Sequence, residues 1–171
     1  MRKITLFILL LVNILTAHAQ TYYTLHYCKE GFRLRMYETI LPSLLHIKDV
    51  AEKGGDFNAE EYYEATDILC NIYTHFYKNP EYSLRIMEKA YQTLAAKTDS
   101  SHSSPLRFAA LNLADIYTMT CQHDKAGKCI QNSEKLFDIA PCNCNLRLGL
   151  EMAKIKHCCT TKNTADRKSV V

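Results

Sequence analysis

Leu69-Cys70-Asn71-Ile72-Tyr73 and Leu113-Ala114-Asp115-Ile116-Tyr117 carry one pattern twice, a leucine followed by a small residue and, three positions further, a tyrosine; the two tyrosines stand 44 residues apart. Around each copy the punctuation is that of helices. Asn58-Ala59-Glu60-Glu61 supplies a cap residue and an acid three positions later, which together satisfy the orphan amides of a helix start, so a helix is expected to run to about Tyr77. Asn79-Pro80 adds a cap with proline at the first helical position and opens a helix to about Lys97. A polar loop from Thr98 to Ser104 comes next. Ser104-Pro105 repeats the cap and proline, starting a helix to about Cys121 with a partner from about Asp124 to Phe137, and Pro141 closes the pair.

Toward the N-terminus a first helical stretch is expected from about Thr24 to Ile40, with Pro42 starting a second helix or kinking a continuous one and Gly54-Gly55 ending it. Beyond Pro141 a segment from about Asn145 to Cys159 reads as helix, although Leu146, Leu148, Leu150 and Met152 alternate as a strand would. No other segment alternates cleanly enough to argue a sheet. The expected class is all-α, with 47% hydrophobic residues and only five glycines and four prolines among 171.

The doubled pattern resembles the tetratricopeptide repeat family over about Asn58 to Pro141. Leu69, Cys70 and Tyr73, then Leu113, Ala114 and Tyr117, match the leucine, small residue and tyrosine of the family's first helix. Ser83, Met87 and Ala90, then Ala126, Ile130 and Ser133, match the small, large and small positions of its second. In such a unit the small residues let paired helices approach closely, while the leucine and tyrosine fill the space toward the next pair. One unit cannot bury its own face, so the resemblance implies antiparallel helix pairs stacked as an α-solenoid, with weaker units on either side. The spacing exceeds the family's usual 34 residues because Thr98 to Ser104 is inserted, and Thr66 and Cys70 occupy the tryptophan and glycine positions.

Function begins with the N-terminus. Met1-Arg2-Lys3, an apolar run from Ile4 to Leu15 and Ala17-His18-Ala19 form a basic region, a short hydrophobic region and a small-x-small cleavage site, so residues 1–19 read as a signal peptide with a mature start at Gln20. The first cysteine, Cys28, lies too far downstream for a lipid anchor. Excluding Arg2, Lys3 and the last six residues leaves 17 basic and 17 acidic side chains. A neutral body without a basic stripe argues against nucleic acid or an anionic membrane as partner.

The chemistry-bearing residues form no convincing site. Eight cysteines in an exported chain permit disulfides, but Cys70 and Cys129 fall on expected buried faces, where a thiol packs as a small hydrophobe. Cys142 and Cys144 with His157, Cys158 and Cys159 have zinc-ligand character, yet lack paired Cys-x-x-Cys knuckles. Cys121 and His123 are close in sequence without the third group that orients a nucleophile's base. No Gly-x-Ser-x-Gly, phosphate-binding glycine loop or His-Glu-x-x-His occurs. The reading is therefore a binding protein and not an enzyme, with no cofactor or metal.

For a binding surface, Tyr62, Tyr63, Tyr73, Phe76, Tyr77, Phe108 and Tyr117 recur at helical spacing, a stripe that is more often core than a stacking platform. The family resemblance instead implies a concave face bearing Asp67, Asn71, Thr74, Asp115 and Thr118. Some members clamp a peptide's terminal carboxylate there; Asn71 fits, but Asp67 stands where a lysine is wanted. The implied partner is a protein or peptide. The chain is similar to the exported segments that precede a membrane helix and signalling domain in bacterial sensor kinases and regulators, with a location in the periplasm or at the cell surface. Alternatives are a small-ligand or glycan-binding module on the aromatic faces, and a thiol or metal protein using the C-terminal cysteines.

The final segment starts a further unit over residues 142–165. Asp166-Arg167-Lys168-Ser169-Val170-Val171 resembles the translation of a common sequencing adapter, so it is expected to stand apart from the fold and the protein to continue past Ala165. On the last helix Leu148, Met152, Ile155 and Cys159 form a stripe that a next unit would cover.

Overall fold

A computed structural model describes residues 24–54, 57–98, 103–139 and 144–168, with side chains of 136–139, 144 and 162–168 left out of the description. Among the described residues there are seven α-helices and no strand: α1 Leu25–Arg33, α2 Tyr37–Glu52, α3 Ala59–Asn71 continued by a π-helical turn Ile72–Phe76, α4 Pro80–Lys97, α5 Ser104–Met119, α6 His123–Ile139 and α7 Cys144–Lys168. The chain divides into two compact units, up to Ile68 and from Leu69 onward, the division falling within α3. The signal-like segment and Pro141 lie outside the described residues.

Local chemistry explains most of the boundaries. Thr24 Oγ1 accepts from Tyr27 N, Asn58 Oδ1 from Glu60 N and Glu61 N, and Asn79 Oδ1 from Tyr82 N, with Pro80 opening α4. Two expectations need correcting. The cap before Pro105 is Ser103 rather than Ser104: proline at the second helical position has no N–H, so the hydroxyl reaches Leu106 N instead. The first helix stops at Arg33, not near Ile40, and Pro42 lies inside α2 near its start, where it removes a single intrahelical bond.

What ends α1 is a left-handed residue, Arg35 at φ 60°, and the same device recurs at Lys78 (φ 54°) and Cys121 (φ 60°). The three positions are 43 residues apart in each interval. Each turn is closed by a backbone amide reaching back over it: Met36 N to Gly31 O, Asn79 N to Tyr73 O and Gln122 N to Tyr117 O, all at 2.8 Å. The middle turn spans one residue more because Ile72–Phe76 is π-helical, with Tyr77 N bonded to Ile72 O. Leu44, Met87 and Ile130, again 43 apart, are all buried on the second helix of their hairpins.

In the first unit α1 packs on α2, and their approach is close enough that a Cβ on Gly31 would meet Ile40 Cγ2 at 2.2 Å. Tyr62 donates to Glu52 and Lys29 pairs with Glu64, tying α3's N-terminal part to both helices. In the second unit the π-helical turn packs on α4, α4 on α5, α5 on α6 and on α7, and α6 on α7. Every residue assigned to the repeated pattern is buried except Tyr73, which is half-buried. Leu111, Ala114, Ile130, Leu146, Leu150 and Ala153 form a core shared by α5, α6 and α7.

The alternation in the last segment is resolved as helix. Leu146, Leu150 and Ala153 face the core, while Leu148, Met152 and Ile155 are 64%, 48% and 57% exposed and Cys159 is exposed beside them. Asp166 to Lys168, expected to stand apart, continue the backbone of α7, and residues 169–171 lie outside the described ones. No helix among the described residues is long and apolar enough to cross a membrane.

Candidate functional site

The five polar residues assigned to an inner face have divergent surroundings. Asp67, in the first unit, and Asn71, in the second, are half-buried. Thr74 Oγ1 donates to Ser83 Oγ at 2.9 Å, and that hydroxyl donates to the Cys70 carbonyl at 3.0 Å, so Thr74 supports the contact between hairpin helices. Thr118 Oγ1 returns to the Ala114 carbonyl one turn back. Asp115 pairs with Lys156 of α7 at 2.6 Å, both groups about half in water. This ion pair brings together α5 and α7 at the surface, where it contributes little to stability and leaves both charges available to a partner.

A second feature lies at the π-helical turn. An extra residue in a helix rotates the residues after it by about 100° relative to an uninterrupted one. Here it brings Phe76 and Tyr77 to the surface, 50% and 41% exposed, before Asn79-Pro80 starts the return helix. The Tyr73 ring lies 5.4 Å from that of Tyr77 and 4.4 Å from that of Tyr82, and Phe76 meets Tyr77 edge-on at 5.0 Å. The Arg85 guanidinium stands over Tyr82 at 5.5 Å. Burial, then the neighbouring phenols Tyr82 and Tyr77, raises the Tyr73 phenol above its ordinary value, which keeps it neutral. Four rings and a cation at one end of a hairpin offer stacking faces and hydrogen-bonding edges to a sugar, a proline or an aromatic side chain.

The sequence stripe of aromatics thus divides. Tyr62 and Tyr117 are buried, as a core stripe requires, and Phe76 and Tyr77 are not. Tyr82 and Arg85 escape the sequence pattern, and the signal that points to them is the Asn79-Pro80 cap, which fixes where α4 begins and so which residues face Tyr73.

The cysteine readings meet clear geometry. Cys144 opens α7 and His157 comes 13 residues later, about 20 Å along a helix axis. They do not converge on one ion; Cys142 lies outside the described residues. Cys158, Cys159 and Cys121 are exposed thiols. Neither ring nitrogen of His123 has a hydrogen-bond partner, so Cys121 and His123 do not form a thiol–imidazole pair. Cys28 is buried, and burial with the nearby Glu61 carboxylate pushes its thiol up to about 11. Tyr117 donates to Glu88, and burial followed by that carboxylate raises its phenol; Lys125 lies over the ring at 5.3 Å. In the first unit a cleft of about 250 Å³ is lined by His46, Ile47, Val50, Ala51, Asn58, Glu61 and Tyr62. It is smaller than the pockets that enclose a drug-sized ligand, typically about 300 Å³ or more.

Compared with protein-family models, with curated proteins and with solved structures, the chain matches none.

Proposed function

We propose that this chain is an exported interaction scaffold built of tetratricopeptide-like helical hairpins, and that it holds a peptide segment of a protein partner against the aromatic end of its middle hairpin. The observation that carries the binding reading is the ring cluster at the π-helical turn, in which Phe76 and Tyr77 are exposed and rest on the half-buried Tyr73 and Tyr82. Scaffold character is supported by the recurrence of one turn at Arg35, Lys78 and Cys121 and by the buried residues at the repeated small and large positions. Stacking of hairpins into a solenoid is part of the proposal, as is export, which rests on the signal-like residues 1–19.

A glycan ligand is the second reading, since the same rings suit sugar stacking. Screening the purified mature chain against a peptide array and a glycan array separates the two. The proposal expects peptide binding that Phe76→Ala and Tyr77→Ala each weaken about tenfold or more. Binding to glycans alone would transfer the site to the second reading, and peptide binding indifferent to both substitutions would remove the aromatic end from the account. Cell fractionation with an antibody to the chain tests export.

A further inference from the structure

His123, in the first turn of α6, and His157, on α7, are 34 residues apart in sequence, and their rings lie side by side, tilted at 51° with centroids 6.2 Å apart. Both nitrogens of His123 and Nδ1 of His157 are buried and unpaired. A neutral imidazole carries one N–H donor and one acceptor, and the native rule is that buried polar atoms find partners. Two adjacent imidazoles with three unpaired nitrogens break that rule together. They do not relieve it by bonding to each other: at a centroid separation of 6.2 Å the nearest two ring nitrogens can come is about 3.9 Å, too far for a hydrogen bond and close enough for an ion between them.

We propose that His123 and His157 form a two-imidazole site for a late divalent transition ion of the Zn²⁺ or Ni²⁺ class, which staples the N-terminal turn of α6 to α7. Imidazole nitrogen suits these ions, and a Zn–N bond is about 2.0–2.1 Å, so two ring centroids sharing one ion lie about 5 Å apart at a tetrahedral angle and about 6.4 Å when opposed. The observed 6.2 Å falls inside that span. Among the described residues no third histidine, cysteine or carboxylate joins the pair, so water completes the shell. Both histidines are half-buried, which leaves a solvent approach along their exposed edges.

Gly127, one turn after His123 on α6, makes room for the second ring: a Cβ there would stand 3.3 Å from His157 Nε2. The backbone of α6 therefore forms the floor of the site. This pair is separate from Cys142 and Cys144, which precede α7 or begin it, and from the aromatic end of the middle hairpin.

The test is Zn²⁺ titrated calorimetrically into the reduced full chain, with thermal unfolding measured beside it. The chain is compared with His123→Gln, His157→Gln and a triple variant Cys121→Ser, Cys158→Ser, Cys159→Ser. The proposal expects one Zn²⁺ per chain, a raised midpoint of unfolding, affinity unchanged in the cysteine variant and reduced about tenfold or more in each histidine variant. Absence of binding, retention of affinity in the histidine variants, or its loss in the cysteine variant overturns it. Should a histidine variant not fold, imidazole ¹⁵N spectra of the unaltered chain decide: Zn²⁺ must move the signals of His123 and His157 and leave those of the other histidines in place.

Discussion

Ser83 and Cys70 bond each other's backbones across the middle hairpin: the Ser83 hydroxyl donates to the Cys70 carbonyl at 3.0 Å and the Cys70 thiol to the Ser83 carbonyl at 3.4 Å. Both side chains are buried, so the contact sets how closely the π-helical end of the first helix approaches α4. At the corresponding positions of the next hairpin stand Ala114 and Ala126, both buried and without a hydroxyl. Ser83→Ala should accordingly cost only about 1 kcal/mol, the worth of a hydrogen bond, whereas Ser83→Leu should cost about 1–3 kcal/mol or more by overpacking. Urea denaturation of the two variants measures the difference, and equal costs would mean that size at this position is not what matters.

Leu113 is 4% exposed and Leu148 64% exposed, although both are leucines on long helices. Leu113→Ala should destabilise by about 2–5 kcal/mol and Leu148→Ala by less than about 0.5 kcal/mol. A large loss at Leu148 would show that its stripe is covered in solution.

Arg35, Lys78 and Cys121 hold a left-handed backbone conformation that disfavours a Cβ by roughly 1–2 kcal/mol. Replacing any of them with glycine relieves that strain while adding backbone entropy to the unfolded chain, for a net gain of up to about 1 kcal/mol. The same substitution at Leu34 or Thr120, one residue earlier with φ −84° and −90°, should destabilise. The urea midpoint reads both signs.

Alkaline pH should weaken the fold in a defined order. The Cys28 thiol is raised from 9.0 to about 11, so above pH 9 the unfolded chain releases a proton that the folded chain keeps, and stability falls until about pH 11. The loss from this group is about 3 kcal/mol. Tyr117, raised from 10.0, adds a decline that begins above pH 10. Cys28→Ala should make the first part of the profile shallower, leaving the share of Cys129, whose thiol burial also raises, and should leave the second part. In native protein at neutral pH an alkylating reagent should modify Cys121, Cys158 and Cys159 first, with Cys28 and Cys70 protected.

The capped helices were legible because Asn58, Asn79 and Pro80 act within one turn of themselves, and such short-range chemistry needs no knowledge of the fold. The turn at Arg35 was not, since an arginine in a left-handed conformation has no glycine to announce it and Pro42 drew the boundary toward itself. Burial of the repeated small and large positions came from the packing logic of paired helices. The roles of Thr74 and Thr118 did not, because a hydroxyl within reach of a backbone carbonyl or of Ser83 can turn either way. The histidine pair leaves no local trace at all: its members meet only because α7 runs back along α6.

The π-helical turn makes the middle hairpin tolerant of a change in length. The turns at Arg35, Lys78 and Cys121 keep one interval, yet Tyr73 stands five residues before its left-handed residue where Tyr117 stands four before its own. A supernumerary residue is thus accommodated inside Ile72–Phe76, and nothing downstream is displaced by it. Deleting one residue there should convert the segment to ordinary α-helix and leave α4 in register, while deleting one from the middle of α5 would turn the rest of that helix by about 100° and expose its core face. The middle hairpin is where this chain can gain or shed a residue without refolding, and the aromatic rings gathered there are the surface that such a change would remodel.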